Sequence, residues 1–235
     1  SLSAEAIHMA PIANELSLDV VQRLRTLTNI LSLDPQGFLR RFDKFGKVEL
    51  KKWDNSEVLE QIDIYKSSIK EIKIVTGLAN LRSAMKKVHS AGPKVVLVTR
   101  GAMGSTLFFK GRFYNIPSCK PRIVLDPTGA GDAFIGAFLA EYVKGKDPVW
   151  CACVGSATSS FVVEGIGPAV FGKKEEIYRR AKEIYKKDTR FKTNNTKRWC
   201  NMQFEELTWG GFPRVSNVVS QDAVRRLFAH SHPKK

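Results

Sequence analysis

The alternation of short strand-like segments with longer helical patterns over residues 1–187 most constrains the fold of this chain. Lys94–Thr99 is a run of mainly β-branched residues, which favours a buried strand. Apolar residues recur at helical spacing in Leu78–Ser90 before it and in Pro148–Val163 after it. Strands that alternate with helices form mostly parallel sheets covered on both faces, so we expect an α/β fold with three layers.

Turn residues and capping residues predict a hairpin and the start of a helix. Lys110–Gly111 separates two apolar runs, Thr106–Phe109 and Arg112–Ile116, and predicts a β-hairpin. Ser68 is followed three residues later by Glu71, the spacing of a capping box at the start of a helix. We therefore expect a hairpin at one position and a capped helix at the other.

The last part of the chain, residues 188–235, does not continue this alternation. We assign residues 1–187 to the core and residues 188–235 to a basic C-terminal extension of unknown role. The whole chain carries a net charge of +15, which attracts phosphates or nucleic acid but is also explained by a solvated basic surface. Because no dense Lys/Arg run and no RNA-binding signature occur, we do not expect nucleic acid as the main partner.

The spacing of the cysteines and histidines and the length of the apolar stretches exclude several classes of protein. The four cysteines and four histidines are scattered, without the spacing of a disulfide framework or a zinc site. No stretch reaches the eighteen apolar residues that suggest a transmembrane helix. We therefore expect no membrane partner, and the cytoplasm is the expected compartment.

The segment Asp126–Asp132, DPTGAGD, leads directly into an apolar helix predicted at Gly131–Tyr142. With no bulky side chains in the turn, the backbone N–H groups of residues 129–132 can converge at the positive end of the helix dipole. Such a pocket suits a phosphate or the charge that develops during phosphoryl transfer. A carboxylate at Asp132 would repel that phosphate, so a general-base role explains it. The alternative is a plain glycine turn with Asp132 as a helix cap.

Residues 126–140, DPTGAGDAFIGAFLA, strongly resemble the second signature of the ribokinase-like (PfkB) family of sugar and nucleoside kinases. Three further segments resemble the same family: Ile62–Gly77, Val95–Ser105 and Gly155–Gly167. The resemblance covers roughly residues 4–187. It implies the ribokinase-like three-layer α/β/α fold with a mostly parallel sheet.

The resemblance also implies roles for individual residues. Asp132 would be the catalytic base. Glu71 matches the family's Asn-x-x-Glu motif, in which Ser68 replaces the Asn, and would help to place magnesium, mainly through water. The anion hole would consist of Gly129, Ala130 and Gly131, and the nucleotide site of Thr99, Gly101, Gly104, Thr128 and Ser156, with Asp126 supporting the turn or touching the metal–phosphate region.

Three polar residues after an early strand, Asp34, Gln36 and Arg40, are candidates for binding the substrate. Strand ends face the cleft in open α/β sheets, which favours this role. The alternative is a polar turn on the surface.

Family members normally begin with a segment that carries a Gly-Gly signature and supplies the first strands of the sheet and a small lid. None of this is visible before Ser1. We therefore expect the N-terminal strands and the lid to be missing and one sheet edge to be exposed. A homodimer or a partner protein would cover that edge.

The leading interpretation is a kinase that transfers the γ-phosphoryl group of Mg-ATP to a hydroxyl of a sugar, a polyol such as inositol, or a nucleoside. Its partners would then be ATP, Mg²⁺ and a small hydroxyl-bearing substrate. Two alternatives stay open: a catalytically silent nucleotide-binding module of the same fold, and a basic protein that binds nucleic acid or a partner through residues 188–235.

Overall fold

The structure, a computed structural model, describes residues 4–53, 56–167 and 170–191, with side chains as far as residue 186. The strands are β1 Ala4–Met9, β2 Thr28–Leu33, β3 Arg40–Phe42, β4 Val48–Leu50, β5 Ile64–Ser68, β6 Val95–Thr99, β7 Ser105–Phe109 and β8 Arg112–Ile116. The helices are α1 Leu18–Arg25, α2 Gln36–Leu39, α3 Ser56–Glu60, α4 Ile69–Thr76, α5 Leu81–Ser90, α6 Ala130–Tyr142, α7 Pro148–Val162 and α8 Lys174–Phe191, and a 3₁₀ turn spans Gly101–Met103.

The main sheet has six strands in the order β1-β2-β5-β6-β7-β8. The first four of these are parallel to one another, while β7 and β8 run antiparallel as the predicted hairpin. Lys110 and Gly111 in its turn both have positive φ, 47° and 74°, as a type I′ turn requires. The predicted, mostly parallel sheet is therefore confirmed. Among the described residues, β1 pairs only with β2, and β3 and β4 form a separate antiparallel ribbon.

The sheet has helices on both faces. Val95 and Leu97 point into a buried cluster that contains Phe138 of α6 and Cys151 of α7. On the opposite face, His89 of α5 meets the ring of β7 residue Phe108 edge-on, at 5.0 Å between ring centroids. The three expected α/β/α layers are therefore present.

Helix α7 holds the amino end of α6 in place. A Cβ atom at Gly155 of α7 would lie 2.7 Å from the carbonyl oxygen of Phe134 in α6, so the two helices touch where no side chain intervenes. One turn further, the Ser159 hydroxyl donates a hydrogen bond of 2.7 Å to the Ala130 carbonyl at the start of α6. The placement of this helix start therefore depends on α7.

The buried carboxylate of Glu141 links the carboxyl end of α6 to the amino ends of α7 and α8. Glu141 of α6 accepts hydrogen bonds from Lys144 at 2.8 Å, from the Trp150 indole at 3.2 Å and from the Tyr178 hydroxyl at 2.7 Å. Burial opposes ionisation of Glu141, but these hydrogen bonds outweigh it and lower its pKa below the ordinary value. The charged form of Glu141 thus links α6, α7 and α8.

Several element boundaries differ from the sequence-based expectation. Strand β5 begins at Ile64 and includes Lys66, Ser67 and Ser68, whereas the strand expected at Ile62–Tyr65 ends before them. Helix α5 begins only at Leu81, because the Asn80 side chain accepts from the Ser83 N–H and caps it. Helix α8 continues to Phe191, so it crosses the expected boundary at residue 187. The rest of the predicted extension, residues 192–235, lies outside the described residues.

Within the described part of the chain, no helix is long and apolar enough to span a bilayer.

Replacing Gly155 with alanine should destabilise the protein, because the new methyl group overlaps a backbone atom that cannot rotate away. We expect the free energy of unfolding to fall by about 1–3 kcal/mol in urea denaturation. Gly136→Ala is the matched control, since a Cβ at this α6 position meets nothing within 4 Å. It should raise the free energy of unfolding by up to about 1 kcal/mol. Equal effects of the two variants would contradict the packing described here.

The depressed pKa of Glu141 predicts a dependence of stability on pH. A carboxyl group with a lowered folded-state pKa contributes its stability above the ordinary value of 4.5 and loses it as pH falls through the folded value. Glu141→Gln should lose about 1–3 kcal/mol at pH 7. Its deficit relative to the wild type should shrink in urea titrations at progressively lower pH below about 4.5. A constant deficit would show that the charge of Glu141 does not matter.

Candidate active site

The carboxyl ends of the parallel strands β1, β2, β5 and β6 lie at one edge of the sheet, the usual position of binding sites in open α/β folds. The amino end of α6 reaches this edge, because Gly131 in its first turn lies directly against the side chain of Lys66 near the end of β5. Polar residues from strands that are far apart in sequence therefore meet around the start of one helix.

The turn before α6 leaves the N–H groups of Gly131 and Asp132 free, whereas the N–H of Ala130, a predicted member of the anion hole, is bonded to the Pro127 carbonyl at 3.2 Å. Gly129 precedes the helix with φ 78°, a left-handed conformation that favours glycine. The Asp126 carboxylate accepts the Thr128 N–H at 2.9 Å and so closes the turn, and bonds from the Thr128 side chain and N–H lower the pKa of Asp126. The N–H groups of Gly131 and Asp132 lie in the first helical turn, where a helix offers no acceptor of its own.

Asp132 is the exposed carboxylate of this first turn. Among the described residues, no hydrogen bond or ion pair engages its side chain. It lines an open cavity of about 850 Å³ that begins at Thr128 and Gly129. The floor of the cavity is formed by small residues of α6 and by apolar residues of α7 and α8: Ala133, Gly136, Ala137, Ala140, Val154, Val162 and Ile177. A carboxylate therefore stands where a bound molecule can reach it.

Asp34, the first of the predicted substrate residues, is buried rather than exposed. Its carboxylate forms an ion pair with Lys66 of β5, and each side chain is only 7% exposed. The second oxygen accepts the Gln36 N–H at 3.3 Å. Gln36 and Arg40 themselves are half-buried, at the two ends of α2. Asp34 thus lies at the predicted strand end but contacts a lysine there.

Lys66 was not singled out from the sequence. Its only signal is a charged residue between the strand-like segment Ile62–Tyr65 and the capping Ser68, and a charged residue at a strand end is often simply solvated. Asp34 and Lys66 are 32 positions apart, and only the parallel pairing of β2 with β5 brings them together.

His8 of β1 is a further titratable group at this edge of the sheet. Its Nδ1 atom lies 3.0 Å from the Ser32 hydroxyl. Burial lowers the pKa of His8 below its ordinary value, with a further decrease from Lys66, and the carboxylates of Asp34 and Asp132 only partly oppose these shifts. The imidazole is therefore neutral at pH 7 and adds no positive charge to the site.

The predicted capping box at the start of α4 is confirmed. Glu71 accepts from the Ser68 N–H at 2.7 Å and from the Ser68 hydroxyl at 2.8 Å, while its own N–H is bonded to the Ser68 oxygen at 3.3 Å. Both bonds use Oε2 of Glu71. Within the described ranges, no group of three His, Cys, Asp or Glu side chains is arranged to hold a metal ion.

The predicted nucleotide-site residues fall into two groups. Thr99 ends β6 directly beside Ser68 of β5, and the glycine turn that contains Gly101 and Gly104 follows it. Gly104 has φ 82°, and a Cβ atom there would lie 2.0 Å from the Ile116 carbonyl, so the turn packs tightly on β8. Ser156 is different, because its hydroxyl donates to the Pro117 carbonyl at 3.0 Å and accepts the Cys119 N–H at 3.1 Å.

Three known proteins indicate the relatives of this chain. It is 30% identical over 159 residues to the cytidine kinase of Thermococcus kodakarensis, covering 66% of this chain and 53% of that protein. A solved pyrophosphate-dependent kinase of the ribokinase family, in complex with a pyrophosphate analogue and myo-inositol, is 28% identical with a TM-score of 0.66, covering 75% of this chain and 63% of that one. The ribokinase of Arabidopsis thaliana, solved with ribose and ATP, is 26% identical with a TM-score of 0.64, covering 76% and 56%.

The chain spans about half the length of the curated relatives that it matches. The profile of the pfkB family carbohydrate kinases matches residues 15–175, a range that contains the turn before α6, the capping box of α4 and the Asp34–Lys66 pair. The resemblance read from residues 126–140 is thereby confirmed, and the chain belongs to the pfkB family of carbohydrate kinases.

Proposed function

We propose that this chain is the catalytic core of a kinase that transfers the terminal phosphoryl group of Mg-ATP to a hydroxyl of a sugar, polyol or nucleoside. One observation carries the proposal. The exposed Asp132 carboxylate lies in the same helical turn as two free backbone N–H groups, beside an open cavity. A base next to an anion-binding turn is what in-line phosphoryl transfer to a hydroxyl requires.

The mechanism assigns a separate task to each part of this turn. Asp132 accepts the proton of the acceptor hydroxyl. At the same time the hydroxyl oxygen bonds to phosphorus, and the bond from phosphorus to ADP breaks. The N–H groups of Gly131 and Asp132, at the positive end of the α6 dipole, stabilise the charge on the oxygens of the phosphoryl group in flight. Because α7 fixes the start of α6, these donors need no reorganisation during the reaction.

The described residues of this site could hold Mg²⁺ only together with the phosphates of the donor. Mg²⁺ is commonly bound through one or two carboxylates and substrate phosphates, and it retains several waters. Glu71 uses Oε2 for the capping box, so its Oε1 would be available to accept a hydrogen bond from a water of a bound Mg²⁺. When bound, Mg²⁺ would neutralise charge on the donor phosphates.

The relatives support a hydroxyl acceptor but differ in its identity. Their names refer to cytidine, myo-inositol and ribose, which share hydroxyl groups on a small ring. One of the solved relatives is complexed with ATP and another is pyrophosphate-dependent. We propose ATP as the donor here, and pyrophosphate is the donor to test beside it.

A nucleotide-binding module without transferase activity is the second candidate, because free N–H groups at a helix start can bind a phosphate whether or not a transfer follows. Such a module would bind ATP through the same turn and leave every acceptor unmodified. Product formation distinguishes it from the kinase.

Asp132→Asn removes the proposed base and keeps the shape of the side chain. We expect kcat to fall by about 10²- to 10⁴-fold, while the dissociation constant of ATP changes little. The measurement is formation of phosphorylated product from Mg-ATP and the acceptor that the wild type prefers among sugars, polyols and nucleosides. Near-normal turnover would contradict the base assignment.

Asp19→Asn serves as the matched control. Asp19 is also an exposed aspartate in the first turn of a helix, α1, but it does not line the cavity. The same change of charge at that position should leave kcat within about twofold, because exposed helix-end charges contribute only small energies.

A further inference from the structure

The ammonium group of Lys66 is held against the backbone of the first turn of α6. A Cβ atom added at Gly131 would lie 2.9 Å from Nζ and 3.7 Å from Cε of Lys66. Gly131 therefore gives the ammonium direct access to the turn that carries the free N–H donors, and an ordinary side chain there would displace it.

This position is electrostatically unfavourable for a cation alone. The amino end of a helix carries a partial positive charge, which favours anions and repels a lysine. Here the ammonium lies against Gly131, in the same first turn as the N–H groups of Gly131 and Asp132 and with no side chain between. Asp34 offsets this charge as the ion-pair partner of Lys66. Asp132 is the carboxylate of the same helical turn, and the mechanism assigns it another task.

Burial of the pair also argues against a role in stability alone. Both side chains are 7% exposed, and removing two charges from water costs about as much as their mutual attraction returns. A lysine has three N–H donors, and Asp34 is the one ion-pair partner of Lys66 among the described residues. The remaining donors suit an anion that binds at the same turn.

We propose that Lys66 binds the terminal phosphoryl group of the donor and that Asp34 is its positioning residue. The inference rests on the proposed function and deepens it. In the transfer step the proton of the acceptor hydroxyl goes to Asp132, the new O–P bond forms, and the bond to ADP breaks. Lys66 keeps its contact with the phosphoryl group while that group passes from donor to acceptor.

A comparison of two nucleotides tests the contact with the terminal phosphate. Lys66→Met should weaken binding of the nonhydrolysable analogue AMP-PNP by about 10- to 100-fold, the loss expected for a charge-assisted hydrogen bond. ADP lacks the terminal phosphate, so its dissociation constant should change less than about threefold. Isothermal titration with Mg²⁺ present measures both. Equal losses for the two nucleotides, or no loss for either, would overturn the proposal.

Two further variants separate the contact from effects on folding and net charge. The double variant Asp34→Asn/Lys66→Met has no uncompensated buried charge, and it should show the same selective loss of AMP-PNP affinity. Lys94→Met removes an ammonium that is also paired with an aspartate, Asp63, but at the amino end of β6. It should change neither affinity by more than about twofold. A selective loss of AMP-PNP affinity in Lys94→Met would overturn the proposal.

If Asp34 positions Lys66, the variant Asp34→Asn should lower kcat without raising KM for ATP. Asp34→Asn removes the anion that competes for Lys66, so KM for ATP should be unchanged or lower. The ammonium is then no longer held at Gly131, and kcat should fall by at least tenfold. Asp34→Glu, which retains the charge, should recover part of kcat. A purely structural role would instead reduce the amount of folded protein and leave KM and kcat per folded molecule unchanged.

The outcomes also separate this inference from the proposed function. If the wild type phosphorylates an acceptor and Lys66→Met does so equally well, only the role of Lys66 is wrong. If AMP-PNP affinity depends on Lys66 but no acceptor is phosphorylated, the binding role stands and the proposed transfer is wrong. If the wild type binds neither nucleotide, both are wrong.

Discussion

The absence of a side chain at two glycines decides where the candidate site lies. Gly155 lets α6 touch α7 at Phe134, and this contact fixes the start of α6 relative to α7. Gly131 lets the ammonium of Lys66 reach the same helix start from β5. Because these contacts involve backbone atoms and one buried lysine, the donors of the turn are held in a fixed geometry before any ligand binds. Such preorganisation is what makes electrostatic stabilisation effective in phosphoryl transfer.

Two aspartates of the site lie in opposite environments. Asp34 is buried and paired with a cation, whereas Asp132 is exposed beside the cavity and engaged by no partner among the described residues. Carboxylates in such different surroundings can divide their tasks. In our account Asp34 holds a positive charge in place and Asp132 accepts a proton, so the same edge of the sheet attracts phosphate and activates a hydroxyl.

Local sequence signals predicted much of the fold but not the central ion pair. The turn residues Lys110–Gly111 and the Ser68–Glu71 spacing act over a few positions, so their structures follow directly from backbone chemistry. The start of α6 at residues 129–132 was found in the same way. The contact of Asp34 with Lys66 depends instead on which strands lie side by side, and a lone charged residue at a strand end carries no information about its partner. Likewise, the structural bonds of the Ser156 hydroxyl with Pro117 and Cys119 depend on how a loop packs on α7.

Direct detection of the product tests the central claim, that the turn at the start of α6 transfers a phosphoryl group to a hydroxyl. Phosphorus NMR of the chain with Mg-ATP and a mixture of cytidine, ribose and myo-inositol would follow donor and product together. Our account predicts one new phosphomonoester that grows in step with ADP. ATP that stays intact, or that yields only inorganic phosphate and ADP, would contradict it.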